Sequence, residues 1–163
     1  MKKTKDEKKC EDVMTKKPVC CVPADTVVKA ARLMKESDVG PIPVVEDGQT
    51  KRLVGIVTDR DLALKVVAEG RDPNAVKVEE VMTREPVTCR AEDDLQKAVG
   101  LMAERQLRRI PVVDEAGRVV GIIAQADVAT RTEAPEKTAG VVEEISKPSN
   151  EPEKGSRQQA ATA

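Results

Sequence analysis

The sequence predicts an α/β (α+β) fold in which one strand–helix–strand–strand–helix unit occurs twice and the copies pack against each other. Three observations predict it. First, Glu11-Asp12-Val13-Met14-Thr15-Lys16-Lys17-Pro18-Val19-Cys20-Cys21 returns as Glu79-Glu80-Val81-Met82-Thr83-Arg84-Glu85-Pro86-Val87-Thr88-Cys89, an offset of 68 (79 − 11). Second, Ile42-Pro43-Val44-Val45 returns as Ile110-Pro111-Val112-Val113 at the same offset, and Val54-Gly55-Ile56 returns as Val120-Gly121-Ile122 at 66 (120 − 54), so a turn differs by two residues. Third, short β-branched runs alternate with segments of helical spacing in both copies. A duplicated unit too small to close its own core packs against its copy, and the seam is where ligands bind.

The elements follow in order. Residues 1–9 are a charged tail, and residues 10–70 form the first repeat. Pro18 to Val22 is a short apolar run read as a strand. Asp25-Thr26 caps a helix whose apolar positions Val27, Ala30, Ala31 and Met34 share a face, and Gly40-Pro41 ends that section. Ile42–Val45 and Leu53–Val57 are two strands joined through the turn signal Asp47-Gly48. Thr58-Asp59-Arg60-Asp61 opens a second helix through Leu62, Leu64, Val66 and Val67, closed by Gly70.

Residues 71–77, with Arg71-Asp72-Pro73-Asn74-Ala75, are a turn-rich connector. The second repeat spans 78–131: a strand at Val87–Cys89, a helix lined by Leu95, Ala98, Val99 and Met102, strands at Ile110–Val113 and Val119–Ala124, and a last helix begun at Asp127. A C-terminal segment, 132–148, has helical character only at Val141–Ile145. Residues 149–163 are polar, without apolar periodicity, and are expected to be disordered.

Composition narrows the function. The 28 basic and 29 acidic residues nearly cancel, which gives no basis for a nucleic-acid partner or a membrane surface. No apolar run approaches the ~20 residues of a membrane span. The basic start lacks the apolar stretch of a secretory signal, so a cytoplasmic protein is expected. There is no Phe, Tyr, Trp or His. The usual general base and the commonest metal ligand are therefore missing, and neither a catalytic role nor a metal site is expected. Cysteines stand at 10, 20, 21 and 89 without Cys-x-x-Cys spacing; in a cytosol they are expected to be reduced, small apolar residues.

The motifs Val-Met-Thr-x-x-Pro-Val, Ile-Pro-Val-Val and Gly-Ile-Val-Thr-x-x-Asp, in that order and twice, resemble the cystathionine-β-synthase (CBS) domain. Two copies resemble a CBS pair, or Bateman module. The resemblance covers roughly residues 10 to 131, and Thr58-Asp59-Arg60-Asp61-Leu62 with Asp72-Pro73-Asn74 is similar to the small stand-alone bacterial CBS-pair proteins. It implies tandem repeats packed as a pseudo-two-fold pair, with two clefts between them. Each would hold an adenosine-containing regulatory ligand such as AMP, ADP, ATP or S-adenosylmethionine, with no catalytic cofactor. In that family the motif Asp accepts from both ribose hydroxyls, the motif Thr or Ser contacts phosphate, and groups around the first strand and the Ile-Pro-Val strand hold adenine.

Carried over, these roles fall on Asp61 and Asp127 for ribose and on Thr58 for phosphate. Thr15, Val19, Cys20, Ile42, Pro43, Ile110 and Pro111 surround the base. Arg60, Arg108 and Arg109 are phosphate candidates, because guanidinium forks suit phosphate oxygens. The chemistry agrees. A carboxylate suits a vicinal diol, a helix start favours phosphate, and Val, Ile and Pro can form an apolar slot. The first repeat matches at Gly55, Thr58 and Asp61. The second matches at Gly121 and Asp127 but has Ala124 at the Thr/Ser position, which ranks Asp61 as the principal site.

Simpler roles stand beside these. Asp61 and Asp127 suit helix starts regardless of ligand, Thr58 suits an N-cap, Arg108-Arg109 suits a solvated loop, and Met34 and Met102 suit core filling. A sensing module is expected to act on a separate effector protein, which the sequence does not name, and to form a homodimer through its helices. A ligand-free scaffold or stress-response protein is the alternative.

Overall fold

The structure, a computed structural model, describes residues 7–131. Most of the N-terminal tail, the 132–148 segment and the 149–163 tail lie outside the described residues. In chain order the elements are β1 (Thr15–Lys16), α1 (Val27–Ser37), β2 (Pro41–Val45), β3 (Leu53–Thr58), α2 (Asp59–Leu62), β4 (Thr83–Arg84), β5 (Cys89–Arg90), α3 (Leu95–Glu104), β6 (Arg109–Val113), β7 (Val119–Ala124) and α4 (Gln125–Arg131). Short 3-10 turns at Cys10–Asp12 and Val78–Glu80 precede β1 and β4, and a π turn over Ala63–Val67 continues α2.

The repeats exchange their leading segments. β1 of the first repeat pairs antiparallel with β7 of the second (Thr15 opposite Ile122), giving the sheet β1-β7-β6-β5. β4 of the second pairs with β3 of the first (Thr83 opposite Ile56), giving β2-β3-β4. Between the two stretches, Arg52 and Arg118, 66 apart (118 − 52), bridge each other. Leu53 N donates to Gly117 O and Val119 N to Lys51 O. This reciprocity marks the pseudo-two-fold axis.

The cores follow the exchange. One gathers Val27, Ala30 and Met34 of α1, Ile42 and Val44 of β2, Val57 of β3, Leu62 and Val66, and then Val78, Val81 and Met82 from the opening of the second repeat. The other gathers Leu95, Ala98 and Met102 of α3 with Ile110, Val112 and Ile123, and takes Cys10, Val13 and Met14 from the opening of the first. Met34 and Met102 are core residues, as their spacing predicts.

Gly55 and Gly121 permit the exchange. A Cβ on Gly121 would lie 2.5 Å from Met14 Sδ, and one on Gly55 would lie 2.8 Å from both Met82 Sδ and the Thr83 carbonyl oxygen. Only a residue without a side chain lets the exchanged methionine pass over the strand.

Several elements differ from the sequence reading. Pro18–Val22 is not a strand. Only Cys21 pairs, in parallel with Val44, its N–H donating to Pro43 O and its carbonyl accepting from Val45 N. Pro18 has no N–H to give a ladder. α1 ends at Ser37, before Gly40, because Asp38 takes the left-handed conformation (φ 52°) as its C-cap. Asp47-Gly48 does not make a two-residue hairpin turn. The Asp47 carboxylate accepts from Gln49 N and Thr50 N, and the loop runs on to Lys51 at φ 53°. The last helix begins at Gln125, two residues before Asp127.

Candidate functional site

A cleft of about 360 Å³ lies where the exchanged segment meets both repeats. One wall is Thr15 of β1 with Lys17, Pro18 and Val19, which follow it. A second is Ser37, Asp38, Val39 and Pro41, from the end of α1 into β2. The third is Arg109, Ile122, Ala124 and Asp127, from β6, β7 and α4. A neighbouring hollow shares Arg109 and Ala124 and adds Arg108, Gln125, Ala126 and Ala129.

Two backbone turns shape the cleft. Lys17 (φ 49°) and Asp38 (φ 52°) both adopt the left-handed conformation, and so do their counterparts Glu85 (φ 48°) and Gln106 (φ 53°), each 68 residues on. Non-glycine residues enter that region at a cost of order 1–3 kcal/mol, and such positions gather at ligand sites. Here they turn the chain back at the cleft rim after β1 and after α1.

The two motif aspartates differ in what already occupies them. Asp61 is fully engaged. Its Oδ2 accepts from Thr58 N (2.9 Å) and Thr58 Oγ1 (3.1 Å), its own N–H donates to Thr58 Oγ1 (3.2 Å), and Oδ1 pairs with Lys65 Nζ at 3.0 Å. Thr58 is thus the N-cap of α2 in a reciprocal capping box. The first-turn amides that the sequence offers to a phosphate are in use there. Asp127 keeps only half of this arrangement: Oδ2 accepts from Ala124 N at 3.1 Å, and no hydroxyl stands at 124. Among the described side chains nothing else bonds to the Asp127 carboxylate, which faces the cleft.

The structure brings Thr15, Val19, Arg109 and Asp127 into one cleft and Arg108 into the hollow beside it. Thr58, Arg60 and Asp61 lie at the pseudo-symmetric position, Arg60 exposed at the start of α2. Cys20 lines a separate hollow with Asp25, Lys29 and Lys51. Burial pushes its thiol pKa up, and the nearby Lys51 opposes this. The side chains of Ile42 and Ile110 are in the two cores, 0% exposed. Pro43 and Pro111 are buried, their carbonyls accepting from Cys21 N and, at 4.0 Å, Cys89 Sγ. Lys17, Asp38, Val39, Pro41 and Ile122 are cleft residues that sequence reasoning did not select. Lys17 alone had a signal, two places after Thr15.

The arrangement has the parts of a nucleoside site: an apolar slot of Val19, Val39, Pro41 and Ile122, a carboxylate with acceptor capacity, and the cations Lys17 and Arg109 at its edge. Among the described residues no cluster of three or more Cys, Asp or Glu is placed to hold a metal ion. No helix among them is long and apolar enough to cross a membrane.

The family model "CBS domain" matches residues 10–68 and 78–132. The chain belongs to the CBS domain family. The CBS domain-containing protein YhcV of Bacillus subtilis (strain 168) is 41% identical over 136 residues, covering 83% of this chain and 94% of its own length. The CBS domain pair of protein MJ0100, solved in complex with 5′-methylthioadenosine and S-adenosyl-L-methionine, is 28% identical with a TM-score of 0.66, covering 75% of this chain and 93% of that one. CBSX2, solved in complex with AMP, is 30% identical with a TM-score of 0.63, covering 76% and 94%. The chain is thus a CBS pair of α+β fold, and CBS pairs similar to it bind adenosine ligands.

Proposed function

We propose that this CBS pair is a regulatory module that takes an adenosine-containing ligand (AMP, ADP, ATP or S-adenosylmethionine) in the Asp127 cleft and passes the bound state to a separate effector protein. The observation that carries the reading is the Asp127 carboxylate, facing a formed apolar cleft with acceptor capacity unspent among the described side chains. A ribose diol supplies the two donors such a group lacks. Lys17 and Arg109 supply the charge for a phosphate that Ala124 cannot bind.

Completeness of motif ranks Asp61 first. We place Asp127 first because a ligand at Asp61 must compete with both Thr58 bonds and the Lys65 ion pair. We also propose a homodimer through the outer helical face. Val27, Val28, Ala31, Val66 and Val67 line an apolar hollow there, with Val67 74% and Leu64 50% exposed.

Calorimetry tests the ligand reading. Asp127→Ala should weaken binding at least about tenfold, about 1.4 kcal/mol, and Asp61→Ala should weaken it less. Lys17→Ala and Arg109→Ala should weaken AMP more than adenosine. Binding lost in Asp61→Ala but kept in Asp127→Ala moves the principal site to the other cleft. No heat with any of the four ligands at about millimolar concentration gives the chain to the scaffold reading. With no Trp, Tyr or Phe in the chain, a 260 nm band in purified protein also reports a bound nucleotide directly.

A further inference from the structure

The core built on β5, β6 and β7 holds two thiols where its counterpart holds one. Cys10 and Cys89 are 0% and 3% exposed and belong to the same cluster. Their pseudo-symmetric positions in the other core are Val78 (78 − 68 = 10) and Cys21 (89 − 68 = 21). The backbone at Cys10 is tied just beyond Cys89: Cys10 N donates to Asp93 O at 2.9 Å and Glu11 N to Ala91 O at 3.0 Å. Both cysteines are free thiols. The Cys89 thiol, as hydrogen-bond partner, holds the Cys10 pKa below its ordinary value, whereas the same contact and then burial push Cys89 up. Cys10 is therefore the thiol that ionises first, and the thiolate is the nucleophile in disulfide chemistry.

We propose that Cys10 and Cys89 are a redox modification site that closes to an intramolecular disulfide on meeting a small-molecule disulfide. The Cys10 thiolate attacks one sulfur of the oxidant. The oxidant's S–S bond breaks, one thiolate leaves and takes up a proton, and Cys10 is left in a mixed disulfide. Cys89 loses its proton and attacks the Cys10 sulfur, releasing the second small thiol. Two protein thiols are oxidised, one disulfide is reduced to two thiols, and two electrons pass to it.

Access comes from the chain itself. Cys10 sits in a three-residue 3-10 turn followed by the two-residue β1, the kind of leading segment that opens locally. The bond joins positions 79 apart (89 − 10). It fixes the exchanged segment to the second core five residues before Thr15, a cleft residue. The proposal stands whether or not the cleft binds a nucleotide.

The test treats the folded chain with oxidised glutathione, removes the reagent, unfolds the protein in N-ethylmaleimide and maps its peptides. The expected result is a peptide pair linked Cys10–Cys89, with maleimide on Cys20 and Cys21 only. Dithiothreitol should restore labelling at all four cysteines. Cys10→Val, which installs the residue the first core carries at Val78, should give no linked pair, and Cys89→Val should behave alike. Full labelling of all four cysteines after oxidation, a link through Cys20 or Cys21, or a covalent dimer in place of the internal link would each overturn the proposal.

Discussion

Adding one methyl group at Gly55 or at Gly121 tests the exchange of leading segments. A Cβ at Gly55 would stand 2.8 Å from Met82 Sδ and 2.8 Å from the Thr83 carbonyl oxygen, where ordinary contact begins at 3.4 Å. The methionine can swing aside. The carbonyl cannot, because Thr83 lies in β4, in register with Ile56. β4 must retreat by about 0.6 Å (3.4 − 2.8), carrying Val81 and Met82 out of the first core. Overpacking of this kind costs ~1–3 kcal/mol, and the fixed carbonyl puts Gly55→Ala near the upper end. At Gly121 all three close atoms belong to Met14: Sδ at 2.5 Å, Cγ at 2.8 Å and Cβ at 3.0 Å. Two of them move with the side chain, so Gly121→Ala should cost nearer ~1 kcal/mol.

At ~3–5 °C per kcal/mol for a domain of this size, Gly55→Ala should lower Tm by roughly 10 °C and Gly121→Ala by roughly 4 °C. Circular dichroism is the assay, since the chain has no Trp or Tyr to report by fluorescence. Adding Met14→Ala should remove most of the cost of Gly121→Ala, because Sδ and Cγ are gone and only Cβ, at 3.0 Å, remains; neighbours in contact are not additive. Melting of both glycine variants within about 1 °C of the wild type, or full additivity with Met14→Ala, would refute the exchanged packing.

Two further predictions concern assembly and pH. Val67→Asp places a charge on the exposed helical face and should convert a dimer mass to a monomer mass in light scattering at ~10 µM; a wild-type monomer at that concentration rejects the dimer. The Cys21 thiol is pushed up to about 12, first by burial and then by Asp25, whereas an unfolded thiol ionises near about 8.5. Its contribution is therefore fully present below about pH 8.5 and lost as pH rises towards 12, because the unfolded chain sheds the proton first. Cys21→Val should flatten the fall of the urea midpoint between about pH 8.5 and 10.5, and equal slopes in the two proteins would count against it.

What the sequence carries is periodicity, and periodicity is local. The repeat offsets, the helix faces of Val27, Ala30 and Met34 and of Leu95, Ala98 and Met102, and the paired strands at Ile42 and Ile110 are all legible because each is written within a few residues. The exchange is not. β1 and β4 are two residues each and exposed, so no alternation marks them, and their partners lie in the other repeat. The same non-locality hid half the cleft. Lys17 and Asp38 reach left-handed backbone without glycine, and Pro41 and Val39 join the site only because β1 crosses to β7.

Ala124 shows how one local observation can be weighed in two ways. The missing hydroxyl is plain in the sequence and reads as a defect. In the fold that hydroxyl's counterpart, Thr58 Oγ1, spends itself on Asp61. With Ala at 124, the Asp127 carboxylate accepts from Ala124 N alone among the described residues, and on the reading proposed above Lys17 and Arg109 take the phosphate. A motif residue that caps its own helix and one that meets a ligand are the same residue in sequence, and only the partners the fold brings within 3 Å or so separate them.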